Sequence, residues 1–293
     1  MKHEDFLKYE EKTKHGSYLL PFVIYGTIIP DGLKYFPAHW HDEMEIVYVK
    51  AGHCTYYVDF QSYEVYEGDV LIIPPAFIHS FEQYRDERFE SRVIVFKFDM
   101  VNNSKPDMCS KKYFMPLFNN ELQLPFYIKK DNTDTKVVGE TVRKIIDTYY
   151  GRNYGYELRL KMYLLEFFTF FFENGLINKN KSRLTGSKST ENTKAVIEYI
   201  ERNYKKKITL DELADFTSQS VYNLAHTFKK STGHSPVEYI NNYRLSMAAK
   251  MLEDTDSTIL GIAIENGFNN VSYFNRAFKS TFGMTPSEYR KGK

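Results

Sequence analysis

Three histidines and one glutamate in the first third of the chain have residue types and spacing that could bind a metal ion. His39, His41 and Glu45 are separated by even numbers of residues, and His79 follows a separate apolar run. Because side chains on a strand alternate between two faces, the first three would share one face. With His79 from another strand, they would offer three nitrogens and one oxygen, a donor set suited to Zn, Mn, Fe or Ni. A divalent transition metal is therefore a candidate cofactor.

The same four residues also allow two interpretations without a metal. They could line an effector pocket and hydrogen-bond a small molecule, or the histidines could have a purely structural role. Trp40 lies between His39 and His41 in the sequence. It would point to the opposite face of the strand, so we expect it to pack outside the pocket rather than to stack on a ligand.

The C-terminal third contains an internal repeat with an offset of fifty residues. Residues 220–239 align with residues 270–289, and each copy opens on a favoured helix N-cap, Ser220 or Asn270. Glycine commonly ends a helix, and proline commonly opens the next one. The identical positions in the first copy are Val221, Phe228, Lys229, Gly233, Pro236, Glu238 and Tyr239. The repeat predicts two similar helical units.

A short amphipathic helix pattern precedes each repeat, at residues 210–216 and 259–264. A short helix, a tight turn and a second helix form a helix-turn-helix, so the chain is predicted to contain two in tandem. Early exposed residues of the second helix reach base edges in double-stranded DNA. The candidate DNA-binding residues are Tyr222, Asn223, Ala225 and His226 in the first unit and Val271, Ser272, Asn275 and Arg276 in the second, with Lys229, Lys230 and Lys279 nearer the phosphates.

The stretch IAIENGFNNVSYFNRAFKSTFGMTPSEYR, residues 262–290, resembles the signature of the AraC/XylS-type DNA-binding domain. The resemblance implies two helix-turn-helix units joined by a long helix at about residues 236–252. It also implies a sensor domain, carbohydrate as the leading effector class and RNA polymerase as a partner. Arg276 could pair with guanine, whereas Ala225 has no hydrogen-bonding group. The base contacts that the resemblance implies are Tyr222, Ala225, His226, Val271, Ser272 and Arg276.

The two histidine segments resemble the two cupin motifs. The first motif runs from His39 to Gly52, and the second begins at Gly68 and includes His79. Two positions depart from the usual pattern, because Ala76 stands where a glycine is usual and Gln83 where an asparagine is usual. The resemblance implies a small double-stranded β-barrel with a pocket, which suits a sensor domain.

The elements that must position these residues fall into two classes. Short runs rich in Val, Ile, Tyr and Phe predict strands at about residues 18–100, and helical periodicity follows from about residue 134. Asp134 could cap the first helix, and a second helix at about 156–174 is apolar around most of its surface. We predict an α+β chain with a cupin-like barrel at 1–133, a helical dimerisation or extension region at 134–175, a linker at 176–190 and a tandem helix-turn-helix domain at 191–293.

Composition sets limits on location and partners. The net charge is +1, yet residues from 188 onward carry 15 Lys/Arg against 12 Asp/Glu, the sign expected of a DNA-binding half. Two cysteines, Cys54 and Cys109, fit a reducing compartment rather than a disulfide framework. The longest apolar stretch, residues 167–172, is far too short to span a membrane, and no apolar leader is visible. We expect a cytoplasmic protein without a membrane partner.

These observations favour a ligand-responsive transcription regulator, and not an enzyme. A small molecule in the barrel would change the arrangement of two DNA-binding domains across a homodimer, with the apolar helix at 156–174 as a candidate dimer contact. One alternative is a metal-dependent cupin enzyme fused to a DNA-binding domain, favoured by the four candidate ligands. Another is a constitutive regulator without an effector.

Overall fold

The computed structural model describes residues 15–29, 35–85, 87–102, 107–131, 136–179 and 188–291. Within these ranges the first half of the chain forms β-structure followed by two helices, and the remainder is helical. The predicted α+β class is confirmed. None of the helices in these ranges is both long and apolar enough to cross a membrane.

The N-terminal sheet domain contains an eight-stranded sheet in which all neighbouring strands are antiparallel. A separate two-stranded sheet pairs β8 (Leu122–Gln123) with β10 (Asn178–Lys179). The strands of the large sheet are β1 (Phe22–Ile29), β2 (Tyr35–His39), β3 (Met44–Val58), β4 (Gln61–Tyr66), β5 (Val70–Ile73), β6 (His79–Gln83), β7 (Phe89–Phe96) and β9 (Tyr127–Ile128).

Strand β3 curls the sheet because its two halves pair with different strands. Its first half pairs with β5 and β7, and its second half, from His53 onward, pairs with β4 and β6. The change falls at a bulge next to Gly52, whose φ of 81° is easily reached only by glycine. A Cβ at Gly52 would lie 1.8 Å from the carbonyl oxygen of Arg88, so a side chain is excluded there.

The curled sheet separates two apolar cores. The inner core includes Val47, Tyr56, Leu71 and Phe89, all fully buried. The outer face carries Ile46, Ile72, Ile94 and Phe96, which pack against the helices that follow the sheet. The period of two along the strands therefore gives the sheet two apolar faces.

Two neighbouring helices, α2 (Lys136–Gly151) and α3 (Tyr156–Glu173), cover this outer face. They follow a π-helical turn (Ser110–Phe114) and a single helical turn, α1 (Met115–Phe118). Phe167, Phe168 and Phe171 of α3 are buried against the sheet. Both predicted helices are present; the proposed cap, Asp134, lies outside the described residues.

The segment predicted as a linker is more ordered at its ends than its composition indicates. Asn178–Lys179 pairs with the chain as β10, and helix α4 (Lys188–Asn203) begins inside the predicted 176–190 range. Helix α4 begins before the predicted end of the linker because its first turns carry buried side chains. Thr190 and Thr193 are buried, and Val196 belongs to the core of the first helical unit. Residues 180–187 lie outside the described part of the chain.

The helical domain contains the two predicted units and the long helix between them. Its helices are α4, α5 (Leu210–Phe216), α6 (Val221–Thr232), α7 (Pro236–Asp254), α8 (Ile259–Glu265), α9 (Val271–Phe282) and α10 (Pro286–Lys291). The N-terminal half of α7 places Tyr239 and Ile240 in the first unit's core, and its C-terminal half places Leu245 and Leu252 in the second unit's core. With 19 residues, α7 is about 28 Å long.

Candidate ligand site and DNA-binding surface

The structure brings the four predicted ligand residues together. One ligand atom from each of His39, His41, Glu45 and His79 lies within 4.8 Å of the others, and all four residues are buried. His39 and His79 are register partners on β2 and β6, with ring centroids 4.0 Å apart. A carboxylate oxygen of Glu45, on β3, lies 3.2 Å from His41 Nε2 and 3.3 Å from His79 Nε2.

Backbone carbonyls orient all three imidazoles. Nδ1 of His39 lies 3.0 Å from the carbonyl oxygen of Pro37, and Nδ1 of His79 lies 2.9 Å from that of Phe77. Nδ1 of His41 lies 3.1 Å from the carbonyl oxygen of Glu43. A carbonyl can only accept, so each Nδ1 must donate, and each neutral ring then presents a lone pair at Nε2. Metal-bound histidines usually have the same arrangement, in which the ring nitrogen that does not bind the metal donates to a carbonyl or carboxylate.

The charge states suit a cation. Burial lowers the pKa of His39, and the neighbouring His79 and His41 lower it further, which favours the neutral ring that can bind a metal. Burial opposes ionisation of Glu45, but the adjacent His79 and His41 outweigh it and hold the pKa of that carboxyl well below its usual value. The donor set, three imidazole nitrogens and one carboxylate, therefore fits a divalent transition metal.

Neighbouring side chains complete the surroundings of the site. The predicted outward position of Trp40 is confirmed, since it packs against the core of the first helical unit. Phe36 covers His39, with ring centroids 4.7 Å apart. His15, which was not predicted as a site residue, is buried and hydrogen-bonds Tyr25. Its ring centroid lies 5.5 Å from that of His41. No spacing signal connects His15 to the motif, because it comes from a separate segment before β1.

The first recognition helix, α6, begins where the N-cap predicted it. The Ser220 hydroxyl accepts a hydrogen bond from the Asn223 amide, and Gly233 ends the helix with a φ of 82°. Leu224 and Phe228 are buried, so the opposite side of the helix faces solvent. The exposed candidates there are Tyr222, Asn223, His226, Lys229 and Lys230, while Ala225 is half-buried.

The second recognition helix, α9, repeats this arrangement. The Asn270 side chain accepts from the Tyr273 amide, and Gly283 ends the helix with a φ of 75°. Phe274 and Phe278 are fully buried. The exposed candidates are Ser272, Asn275, Arg276 and Lys279, while Val271 is half-buried. Each unit therefore offers one polar helix face, and α7 connects the two units.

Comparison with known proteins agrees with this division. Residues 23–125 match the family model of the AraC-like ligand binding domain, and residues 213–292 match that of a helix-turn-helix domain. The chain belongs to the AraC family of transcription regulators. All four site residues lie in the ligand-binding match, and both recognition helices lie in the helix-turn-helix match.

Three relatives illustrate the similarity to this AraC-family regulator. The HTH-type transcriptional regulator YdeC of Bacillus subtilis is 26% identical over 286 residues, 96% of this chain and 96% of YdeC. The HTH-type transcriptional activator RhaS of Mannheimia succiniciproducens is 28% identical over 257 residues, 87% of this chain and 89% of RhaS. The bifunctional transcriptional activator/DNA repair enzyme AdaA of B. subtilis is 42% identical over 96 residues, 33% of this chain and 46% of AdaA.

The family assignment decides between the predicted functions. The chain is a transcription regulator with an N-terminal ligand-binding domain and a C-terminal DNA-binding domain, and these relatives do not support a cupin enzyme. Tyr273 on α9 is also exposed, and the side-chain amide of Asn241 on α7 donates to its hydroxyl. Tyr273 was not predicted as a surface residue because it lies beside the apolar Phe274 in the sequence.

Proposed function

We propose that this regulator binds a divalent transition metal at His39, His41, Glu45 and His79, and that the metal takes part in effector sensing. The observation that carries the proposal is the convergence of four electron-pair donors in a buried space. Three imidazole Nε2 atoms and a carboxylate oxygen can all coordinate one cation placed between them. When bound, the metal is either the regulatory signal or the anchor for a hydroxyl-bearing effector such as a carbohydrate.

Metal analysis of the purified protein tests this proposal. We expect about one equivalent of metal per chain after growth in supplemented medium, and loss of that metal in His41→Ala. The matched control is His53→Ala, because His53 is also buried in the sheet domain but stacks between Tyr66 and Tyr84. The control should retain its metal.

Absence of metal in the unsubstituted protein would instead favour a metal-free effector pocket. Carbohydrate hydroxyls can donate to the same four acceptors, so calorimetric titration with a panel of monosaccharides then identifies the effector class. A flat response to both metals and sugars in thermal-shift measurements would support a constitutive regulator.

We also propose that the regulator is a homodimer formed through α3. Leu158, Met162 and Leu165 are exposed by 77%, 49% and 37%, and their spacing of four and three residues aligns them along one side of the helix. A two-fold dimer brings the same patch of each copy together, which would bury this stripe.

Sedimentation at micromolar concentration tests the dimer. Leu158→Glu should shift the protein toward monomer, whereas Leu260→Glu, at an exposed leucine of α8, should leave the association unchanged. A monomeric unsubstituted protein would overturn the proposal.

As a DNA-binding regulator the chain is expected to act in the cytoplasm, in contact with DNA and RNA polymerase.

A further inference from the structure

Side chains on both faces of strands β2 and β6 are buried. His39, His41 and His79 point to the ligand site on the inner face. The residues that alternate with them, including Ala38 and Ile78, point outward and are 0% and 2% exposed. In an isolated sheet domain such apolar side chains would meet water, so another part of the molecule must cover them.

The first helix-turn-helix unit covers this outer face. Ala38 and Ile78 belong to the same buried cluster as Val196 of α4, Phe228 of α6 and Tyr239 of α7. Trp40 packs on the edge of that cluster, and the Lys194 ammonium lies 5.1 Å from the centroid of its ring. The core of the first unit is therefore completed by side chains from the sheet domain.

Three hydrogen bonds fix this contact, which we call the seam. The Tyr239 hydroxyl donates to the carbonyl oxygen of Ala38 at 3.2 Å. The Ser80 hydroxyl donates to the carbonyl oxygen of Thr232, at the end of α6, at 3.0 Å. The Lys194 ammonium donates to the carbonyl oxygen of Ala76 at 2.7 Å. All three sheet-domain residues lie within three positions of a site histidine.

The second unit lacks such a contact in the described part of the chain. Its core cluster contains only residues from 245 onward. Tyr289, which corresponds to Tyr239 in the repeat, donates to Glu253 of its own unit. A Cβ at Gly233 would lie 2.6 Å from the Tyr57 ring of β3, whereas a Cβ at the equivalent Gly283 would meet nothing within 4 Å. The seam is therefore specific to the first unit.

We propose that occupation of the histidine site and docking of the first unit are thermodynamically linked through β2 and β6, each strengthening the other. A metal would hold His39 and His79 together and thereby fix β2 against β6. The seam contacts the neighbouring residues of the same two strands. Whichever occupant binds first orders these strands, so the second binds to a surface that has already been ordered. The inference rests on the proposed metal occupancy.

Docking of the first unit at the seam leaves the candidate base-contacting residues of α6 accessible to DNA. The seam uses the C-terminal end of α6, at Thr232 and Gly233. The base-reading candidates lie at the opposite end, where Tyr222 is 81% exposed. Site occupancy would therefore alter how firmly the first recognition helix is held, without covering the side chains that meet DNA.

Two matched double variants of the full chain test the linkage. Gly233→Ala with Tyr239→Phe adds a methyl group against Tyr57 and removes one seam hydrogen bond. Gly283→Ala with Tyr289→Phe makes the same chemical changes at the equivalent positions of the second unit, away from the sheet domain. None of the four residues belongs to the histidine site. Trp40 is the single tryptophan of the chain, so acrylamide quenching of its fluorescence reports opening of the seam.

We expect Gly233→Ala with Tyr239→Phe, the seam variant, to show more quenching of Trp40 fluorescence than the unsubstituted protein. Its affinity for Zn²⁺ should be reduced about fivefold or more, within the usual range of coupling between sites. The control should match the unsubstituted protein in both. Equal quenching in the two variants would overturn the seam as the docking contact. Greater quenching with equal Zn²⁺ affinity would overturn the linkage alone. Failure of the unsubstituted protein to bind Zn²⁺ would overturn the metal proposal and the linkage with it, whereas quenching would still report the seam.

Discussion

The backbone amide of Ala76 donates a hydrogen bond to the carbonyl oxygen of His41 across 2.8 Å. Ala76 has a φ of 67°, a conformation that glycine reaches far more easily than alanine. Its own carbonyl accepts from Lys194 of the helical domain. Ala76 thus connects a site histidine to helix α4 through its two backbone hydrogen bonds. It stands at the position where the cupin resemblance implies glycine.

Replacing Ala76 with glycine should stabilise the protein. The left-handed conformation costs alanine roughly 1–2 kcal/mol, of which glycine's greater freedom in the unfolded chain offsets about 0.4–1 kcal/mol. We therefore expect Ala76→Gly to raise the free energy of unfolding by about 0.5–1 kcal/mol in urea titrations. Ala249→Gly, in the interior of α7, is the control and should lose more than about 1 kcal/mol, because it also removes a methyl group from the core. Any loss of stability in Ala76→Gly would contradict this account.

The turn of the second unit should not tolerate a side chain at Gly267. Gly267 has a φ of 82°, and a Cβ there would lie 2.8 Å from the carbonyl oxygen of Tyr204, which accepts from Arg244 at 2.7 Å. Gly267→Ala should therefore cost about 1–3 kcal/mol more than Gly283→Ala, where φ is also positive but the space is open. Urea unfolding of both variants provides the comparison. Equal costs would mean that conformation alone matters at Gly267.

Sequence reasoning succeeded where the determinants are local. The period of two along a strand placed His39, His41 and Glu45 together and turned Trp40 to the other face, as the structure has them. The fifty-residue repeat predicted the caps and both recognition helices. In each case the residues that predict an element belong to that element or flank it directly.

The features that were missed depend on contacts between distant segments. His15 reaches the His41 ring from before β1, and helix α4 begins inside the predicted linker because its buried side chains pack on the first unit. The seam joins Ser80 to Thr232, 152 residues apart in the sequence. No periodicity within either segment predicts that pairing.

His234 should make the stability of the folded protein decrease in mild acid. Burial lowers the pKa of His234 below 6.5, although Glu82 of β6 and Glu238 of α7 oppose the shift and Lys229 of α6 adds to it. The folded state thus favours the neutral ring. Its contribution is complete above the unfolded pKa of about 6.5 and is lost as the pH falls toward the folded pKa.

Urea unfolding between pH 7.5 and 5.5 measures this contribution. His234→Gln should lose less stability over this window than the unsubstituted protein, because glutamine does not take up a proton. The matched control is His226→Gln, at an exposed histidine of the same region. If both variants show the same pH dependence, burial of His234 at the seam does not control its protonation.

Arg276 provides the sharpest test of DNA reading. It is exposed on α9, on the side opposite the buried Phe274 and Phe278. A planar guanidinium there can donate to both major-groove acceptors of one guanine, a contact worth about 1–3 kcal/mol of discrimination. Arg276→Ala should therefore reduce specific affinity roughly tenfold to hundredfold and relax preference at one base pair. Binding to a library of operator variants measures both effects.

Lys279→Ala is the matched control on the same helix face. Lysine binds phosphate as a point charge, so its removal should weaken binding to all sequences about equally. It should also reduce the slope of log affinity against log salt by about one, because one fewer counterion is released. Non-specific affinity should change little in Arg276→Ala, since Lys229, Lys230 and Lys279 remain. If Arg276→Ala instead lowers affinity for every sequence equally, Arg276 contacts phosphate, and the base-reading face of α9 must be reassigned.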